Sequence, residues 1–297
     1  MPVDQHHAAE MNYEFTVGEF DCAVVSDGSF AYPNPGRLFF FNADPGELAM
    51  VLKRYGIDPN AWERYVSPYP CLLIQTDDGT VLVDTGGGTL GDHTGKLLTN
   101  LQQVGTSPEE IDIVLLTHVH PDHVGGNLDE NGTPAFPNAE YVVSQTEAEF
   151  WLNDPDLASL KVPDHVKKAM IAFADQQVRP LRERLERIDD GSELVAGVRT
   201  VPAPGHTPGH VAVEVASMDE SLFYLVDLVF HPIHVEHPEW YTAFDVDPDT
   251  AVESRNRLFD QAADRAALVM AQHFPAPGLG WIHTTDTGYE WTPISDE

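Results

Sequence analysis

The stretch Ile111-Asp112-Ile113-Val114-Leu115-Leu116-Thr117-His118-Val119-His120-Pro121-Asp122-His123-Val124-Gly125-Gly126 decides how the rest of the chain is read. Its first six residues are nearly all apolar, which suits a strand covered on both faces. Proline and two glycines then keep strand or helix from simply continuing. Three imidazoles and one carboxylate fall between His118 and His123. His118 and His120 are two apart, so at an extended strand end they project to the same side and can grip one metal ion. Asp122 and His123 begin the next turn and can reach a second. A lone histidine is more often a surface or core residue, but four ligand-type residues at this spacing mark a metal site.

Working outward, strands and helices alternate on both sides of this stretch. Val17 to Phe30 reads as a strand pair around Gly18, and Cys71–Gln75 with Val81–Val83 as a hairpin across Asp77-Asp78-Gly79. Glu47–Tyr55 has helical spacing, and Ser107-Pro108-Glu109-Glu110 has the form of a capping box. Downstream, Tyr141–Val143 reads as a strand and Ser144 to Glu147 as another capping box. Residues 155–188 read as largely helical, interrupted by Pro163 and Pro180. Glu193–Val201, Val211–Val215 and Leu222–Val229 read as strands. Asp247-Pro248 opens a helix with Val252, Phe259, Ala263 and Ala266 on one face, and Ala267–Ala271 reads as a last strand. No Gly/Ser-rich linker divides the chain, so one α/β (α+β) domain over residues 1–297 is expected, with an N-terminal extension and helical insert in residues 1–70.

Composition narrows the partners. The 297 residues carry 16 Lys+Arg against 48 Asp+Glu, a formal charge of −32, with 42% hydrophobic residues to build a core. A phosphate backbone needs a Lys/Arg stripe, and the longest basic cluster is the mixed run Arg179 to Arg187, so no nucleic-acid partner is expected. An anionic membrane is disfavoured for the same reason. Only five basic residues are lysine and the acids are spread along the chain, a pattern of salt-loving cells, where concentrated salt screens the self-repulsion. The start of the chain lacks a basic stretch followed by an apolar one, so a cytoplasmic location is expected. Cys22 and Cys71 lack CxxC spacing and read as buried free thiols.

The His118–His123 motif resembles HxHxDH of the metallo-β-lactamase superfamily, and further motifs extend the resemblance over most of the chain. Val83-Asp84-Thr85-Gly86 is similar to the family's early strand and turn, and Pro204-Gly205-His206-Thr207-Pro208-Gly209-His210 to the segment with the third histidine. Asp227 matches the bridging aspartate and His273 the final histidine. The resemblance implies a four-layer αββα sandwich. It implies one metal held by His118, His120 and His206, a second by Asp122, His123 and His273, and Asp227 between them. Asp84 and His210 would support these by hydrogen bonds. Imidazole and carboxylate without thiolate suit zinc, but also iron, manganese or cobalt. Two such ions can share one water, lower its pKa toward about 7 and deliver hydroxide at neutral pH. Asp122 is the candidate for moving a proton to the leaving group.

The reading is therefore a dinuclear metal-dependent hydrolase that uses a metal-bridging hydroxide on small, mostly neutral esters, lactones or phosphotriesters. The alternatives are an iron-dependent redox or sulfur-oxidising member of the fold, or a β-lactam hydrolase. Asp227 argues against the last, because class B β-lactamases with HxHxDH lack the bridging aspartate. The stretches His237–Trp240, Phe244–Arg255 and His273–Gly280 look most like methyl parathion hydrolase, with acyl-homoserine lactonases next. The latter often carry a tyrosine three positions after the bridging aspartate, where this chain has Phe230. Among the aromatics, Phe230, Trp240, Tyr241 and Phe244 are expected to line the cleft ahead of Phe39, Phe40, Phe41, Trp62, Tyr65 and Tyr69. The segment before Cys71 is expected to cover the cleft or to form a homodimer contact. His231 and His234 could reach the cleft or serve the fold; His6, His7, His93, His165, His237 and His283 are treated as surface or core residues. If the acidity is a salt adaptation, dialysis from molar to low salt should lower the thermal unfolding midpoint. A midpoint indifferent to salt would remove that reading.

Overall fold

The computed structural model describes residues 11–295; His6 and His7 lie outside them. Two seven-stranded sheets pack face to face. The first runs in chain order: β1 (Tyr13–Val17), β2 (Phe20–Pro33), β3 (Arg64–Thr76), β4 (Gly79–Val83), β5 (Ile113–Leu116), β6 (Glu140–Ser144) and β7 (Leu185–Ile188). Its first four strands are antiparallel meanders and β4 to β7 are parallel. The second orders β8 (Glu193–Val195), β9 (Val198–Pro202), β10 (Val211–Ser217), β11 (Glu220–Tyr224), β12 (Leu268–Met270), β13 (Leu279–Thr285) and β14 (Gly288–Pro293). Only β11 and β12 pair in parallel there.

Helices cover the outer faces: α1 (Pro35–Phe39), α2 (Pro45–Arg54), α3 (Leu97–Gln103), α4 (Pro121–Val124), α5 (Gln145–Leu152), α6 (Asp164–Gln177), α7 (Ile233–Glu236) and α8 (Pro248–Asp264). The alternation of side chains along a strand explains why so many runs are apolar throughout. Leu72, Ile74, Val81, Val83, Leu115 and Val142 face the second sheet, where they meet Val213, Val215, Leu222 and Tyr224. Their neighbours Leu73, Leu82, Val114, Leu116 and Val143 face outward onto Leu97 and Leu101 of α3, Trp151 of α5 and Met170 of α6. On the other side, Ala212 and Phe223 pack under Leu258 and Phe259 of α8. The result is the expected αββα sandwich. The cysteines are free and buried on opposite faces of the first sheet, Cys22 toward the inner core and Cys71 toward the helices.

Several local expectations are corrected. Residues 185–188 are strand β7 rather than helix, leaving α6 as the helix of that stretch. Leu222–Val229 is not one strand: β11 stops at Tyr224 and a tight helical turn, Val226–Leu228, follows. The buried face of α8 runs through Ala251, Ser254, Arg255, Leu258, Phe259 and Ala262, so Ala266 is exposed. Ser144 makes no capping bond at α5; its hydroxyl donates to Asp190 Oδ1 at 3.1 Å, and Glu147 is turned into the interior. The N-terminal residues contribute β1 to β3, three of the seven strands of the first sheet. Among the described residues no helix is long and apolar enough to cross a membrane.

Backbone contact fixes where the His118–His123 segment sits. Thr85 N donates to His123 O at 2.8 Å and Gly125 N to Gly86 O at 2.8 Å, sewing the turn after β4 to α4. The chains approach so closely that a Cβ at Gly125 would lie 2.2 Å from the Gly87 carbonyl. Asp27 braces the same turn, accepting from Gly87 N, Gly88 N, Gly95 N and Leu97 N at 2.9–3.1 Å. Gly125→Ala should therefore destabilise the protein by about 1–3 kcal/mol, as overpacking generally does. Urea unfolding measures this, and an unchanged midpoint would contradict the contact.

Candidate metal centre

All seven residues singled out at the motifs meet in one buried cleft at an edge of the sandwich. Two groups form among the described residues, His118, His120, His206 and Asp227, and Asp122, His123, His273 and Asp227, each with ligand atoms within 4.8 Å of one another. Asp227 belongs to both. Its Oδ2 lies 3.3 Å from His206 Nε2 and 3.8 Å from His118 Nε2. Its Oδ1 lies 3.1 Å from His123 Nε2 and 3.2 Å from His273 Nε2. Asp122 Oδ2 stands 3.9 Å from each of those two nitrogens. His120 presents Nδ1, 2.9 Å from His206 Nε2.

Each element delivers its ligand for a local reason. Thr117 ends β5, and Val211 N of β10 donates to Thr117 O at 3.1 Å, so the two sheets hold the His118 end in common. Asp227 sits in the tight turn after β11, preceded by Val226 at φ 51°, a left-handed conformation that a β-branched residue rarely adopts. Asp84 is likewise at φ 62°. Strain of this kind, about 1–3 kcal/mol per residue, collects where geometry matters more than stability.

Hydrogen bonds to the far ring nitrogens set which atom faces inward. His123 Nδ1 lies 2.7 Å from Asp84, His206 Nδ1 2.8 Å from Asp245, and His273 Nδ1 2.8 Å from Ser67 Oγ. Asp84 is itself held by Thr117 N and Oγ1 at 2.8 Å. An imidazole tied at Nδ1 by a carboxylate presents a basic Nε2 to the cleft, the arrangement that supports metal-bound histidine. His210 lies behind this layer, its Nδ1 3.0 Å from Ala203 O and its Nε2 accepting from Asp227 N.

The donors fit divalent cations. His118 Nε2, His123 Nε2, His273 Nε2 and Asp227 Oδ1 are buried without a hydrogen-bond partner, which is costly for groups aimed at nothing. Burial and neighbouring imidazoles hold His118 and His120 well below the usual histidine range. For His123 and His206 burial acts the same way, but facing carboxylates win: Asp227 and Asp84 push His123 well up, and Asp227 and Asp245 push His206 to about 9. Positive charge is thus favoured beside Asp227, and a cation there would displace protons as it bound.

Three residues in this architecture carry no sequence signal that would have found them. Buried Glu147 accepts from Val119 N at 2.9 Å and Trp151 Nε1 at 2.8 Å through one oxygen, and from Thr207 Oγ1 at 2.7 Å and Gly209 N at 3.0 Å through the other. It ties the His118–His120 segment to the His206 loop. Asp245 and Ser67 act through single ring nitrogens and come from segments whose pairing only the fold reveals.

The cleft opens into a cavity of about 820 Å³, floored by His120, Asp122, His206 and Asp227. Its walls correct the aromatic expectation. Phe230 and Phe244 line it, but Trp240 and Tyr241 do not, and Phe30, Tyr32 and Tyr69 come from the N-terminal strands. Val162, Val166, Met170 and Phe173, in and just before α6, complete an apolar side. His231 and His234 stay outside, packed among Phe40, Tyr55, Trp62 and Phe230; burial pushes His231 down to about 3.

Comparison with known proteins agrees with this geometry. Residues 64–273 match the model of the metallo-beta-lactamase superfamily. The N-acyl homoserine lactonase AiiA of Bacillus thuringiensis subsp. kurstaki is 24% identical over 227 residues, 69% of this chain and 81% of that one. A probable metallo-hydrolase of Mycobacterium tuberculosis is 30% identical over 183 residues, 54% of this chain and 56% of its own. Among solved structures, AidC, a dizinc quorum-quenching lactonase in complex with a product, superposes with a TM-score of 0.88 at 30% identity, covering 96% of this chain and 98% of AidC. The hydrolase AbOPH does so with a TM-score of 0.84 at 30% identity over the same shares. With a family match running from β3 to His273 and so enclosing both ligand groups, the chain belongs to the metallo-β-lactamase superfamily.

Proposed function

We propose that this chain is a dinuclear metal-dependent hydrolase, with zinc at both positions, whose substrates are small and mostly neutral lactones, esters or phosphotriesters. One observation carries the reading: a single buried carboxylate, Asp227, turns one oxygen to each of two ligand groups at the floor of an apolar cavity of about 820 Å³. His118, His120 and His206 would hold one ion and Asp122, His123 and His273 the other, within one domain. Bound there, the two ions would supply a Lewis acid and an acidified water. The chain supplies the rest. Aliphatic and aromatic walls bind an uncharged chain and exclude bulk water. Asp122, with one oxygen toward His123 and His273, has a second oxygen to take a proton from the attacking water and pass it to the leaving oxygen.

Lactones are placed first because AidC and AiiA are lactonases and AidC superposes over nearly the whole chain. Phe230 favours aryl esters or phosphotriesters as a second reading, since its ring stacks on His273 at 4.5 Å and brings no hydroxyl there. A panel of lactones, aryl esters, phosphotriesters and dianionic phosphomonoesters, run with zinc-loaded protein, is expected to show turnover in the neutral classes. Turnover of the dianions alone would sink the proposal. Asp227→Ala should lower metal content, read by elemental analysis, and cut turnover by on the order of 100-fold or more. Wild-type metal content in that variant would contradict a bridging role.

A further inference from the structure

The cavity holds a phenol pair that the ligand assignment does not use. Tyr32, on β2, and Tyr69, on β3, both line it, and their hydroxyls are 2.7 Å apart. Tyr32 also donates to Asp122 Oδ2 at 3.3 Å. A phenol has one proton. Since that of Tyr32 is directed at Asp122, the shared bond must be donated by Tyr69, so the pair has a direction: Tyr69 to Tyr32 to Asp122. Phe39 and Phe244 flank the Tyr32 ring at 5.2 and 6.2 Å, and Tyr69 stacks along Phe30, so neither ring swings freely.

Phe230, three positions after Asp227, lies flat on His273 and brings no hydroxyl to the cavity. A hydroxyl on the cavity side of the ligand groups enters instead from β2, beside Asp122. We propose that Tyr32 is a catalytic residue whose hydroxyl, oriented by Tyr69, turns its one hydrogen bond from Asp122 to the leaving-group oxygen once Asp122 has taken the proton of the attacking water, as the bond to the acyl carbon or phosphorus breaks. The electron pair of that bond goes to the leaving oxygen, which takes the proton relayed by Asp122, while Tyr32 keeps its own. A donor aimed where charge develops helps most when the leaving oxygen is strongly basic. An alkoxide released from a lactone therefore needs Tyr32, and a 4-nitrophenoxide hardly does. Tyr69 is a positioning residue in this arrangement.

This inference rests on the hydrolase reading above, and the two fail in different ways. Zinc-loaded wild type, Tyr32→Phe and Tyr69→Phe would be assayed on a hexyl-substituted aliphatic lactone and on 4-nitrophenyl hexanoate, with zinc content measured alongside. For Tyr32→Phe, kcat on the lactone should fall by on the order of 100-fold at nearly constant KM, while the 4-nitrophenyl ester changes by no more than about threefold. Zinc content should match wild type. Tyr69→Phe should show the same selectivity for the lactone with a smaller loss. Equal losses on both substrates, a loss of zinc, or an unchanged lactone rate would each overturn the proposal, the first two by showing that Tyr32 merely holds the site together. A wild type inactive on both substrates would instead sink the hydrolase reading, and the role of Tyr32 with it.

Discussion

One buried carboxylate organises the structure. Asp227 lies within 3.1–3.8 Å of four imidazole nitrogens that come from the segment after β5, α4, the β9–β10 connection and the segment after β12. No single element can present such a set, and four imidazoles will not crowd around one another without a negative charge among them. The fold answers by ending strands of both sheets at the same edge and holding their ends with backbone bonds, as between Val211 N and Thr117 O. The left-handed conformations of Val226 and Asp84 belong to the same solution, because each places a carboxylate where regular backbone would not.

What the sequence discloses follows from how local the cause is. The ligands His118, His120, Asp122 and His123 are legible because all four sit on one short segment whose backbone is dictated by a buried strand, a proline and two glycines. Sandwich architecture is legible too, since strands covered on both faces must be apolar at successive positions. The partners that orient the ring nitrogens are not legible. Asp245 reaches His206 from 39 positions away and Ser67 reaches His273 from 206 away. Glu147 shows the reverse error: Ser144 and Glu147 have capping-box spacing, but three donors from distant segments, with Trp151 of the same helix, hold that carboxylate in place of the helix terminus. Tertiary hydrogen bonds in a dry interior are stronger than an exposed cap.

The N-terminal third is the part whose meaning changed most. Sequence alone offers the segment before Cys71 as a cover over the cleft or a dimer contact; β2 and β3 are interior strands of the first sheet and send Phe30, Tyr32 and Tyr69 into the cavity wall. Helices α1 and α2 are the true additions, and they close over a separate aromatic cluster of Phe39, Phe40, Phe230 and Trp240. Phe230 belongs to that cluster and to the cavity wall alike, so the residue three positions after Asp227 is held by packing from the N-terminal segment. Substrate shape and ligand placement are thus coupled through the same rings.

The charge of −32 also has a different meaning at the cavity than over the whole chain. Apart from Asp122 and Asp227, no acid among the described residues lines the walls, and the other ionisable side chains lining them are Arg37, Lys161, His120, His165, His206, Tyr32 and Tyr69. An acidic shell therefore surrounds a cavity whose two carboxylates are both committed to the ligand groups. A neutral lactone or ester is indifferent to the field of that shell on its way in. Hydrolysis turns it into a carboxylate, which the same field repels. The surface that excludes polyanions as partners would thus favour departure of the product of the proposed reaction, most strongly at low ionic strength, where the Debye length is longest.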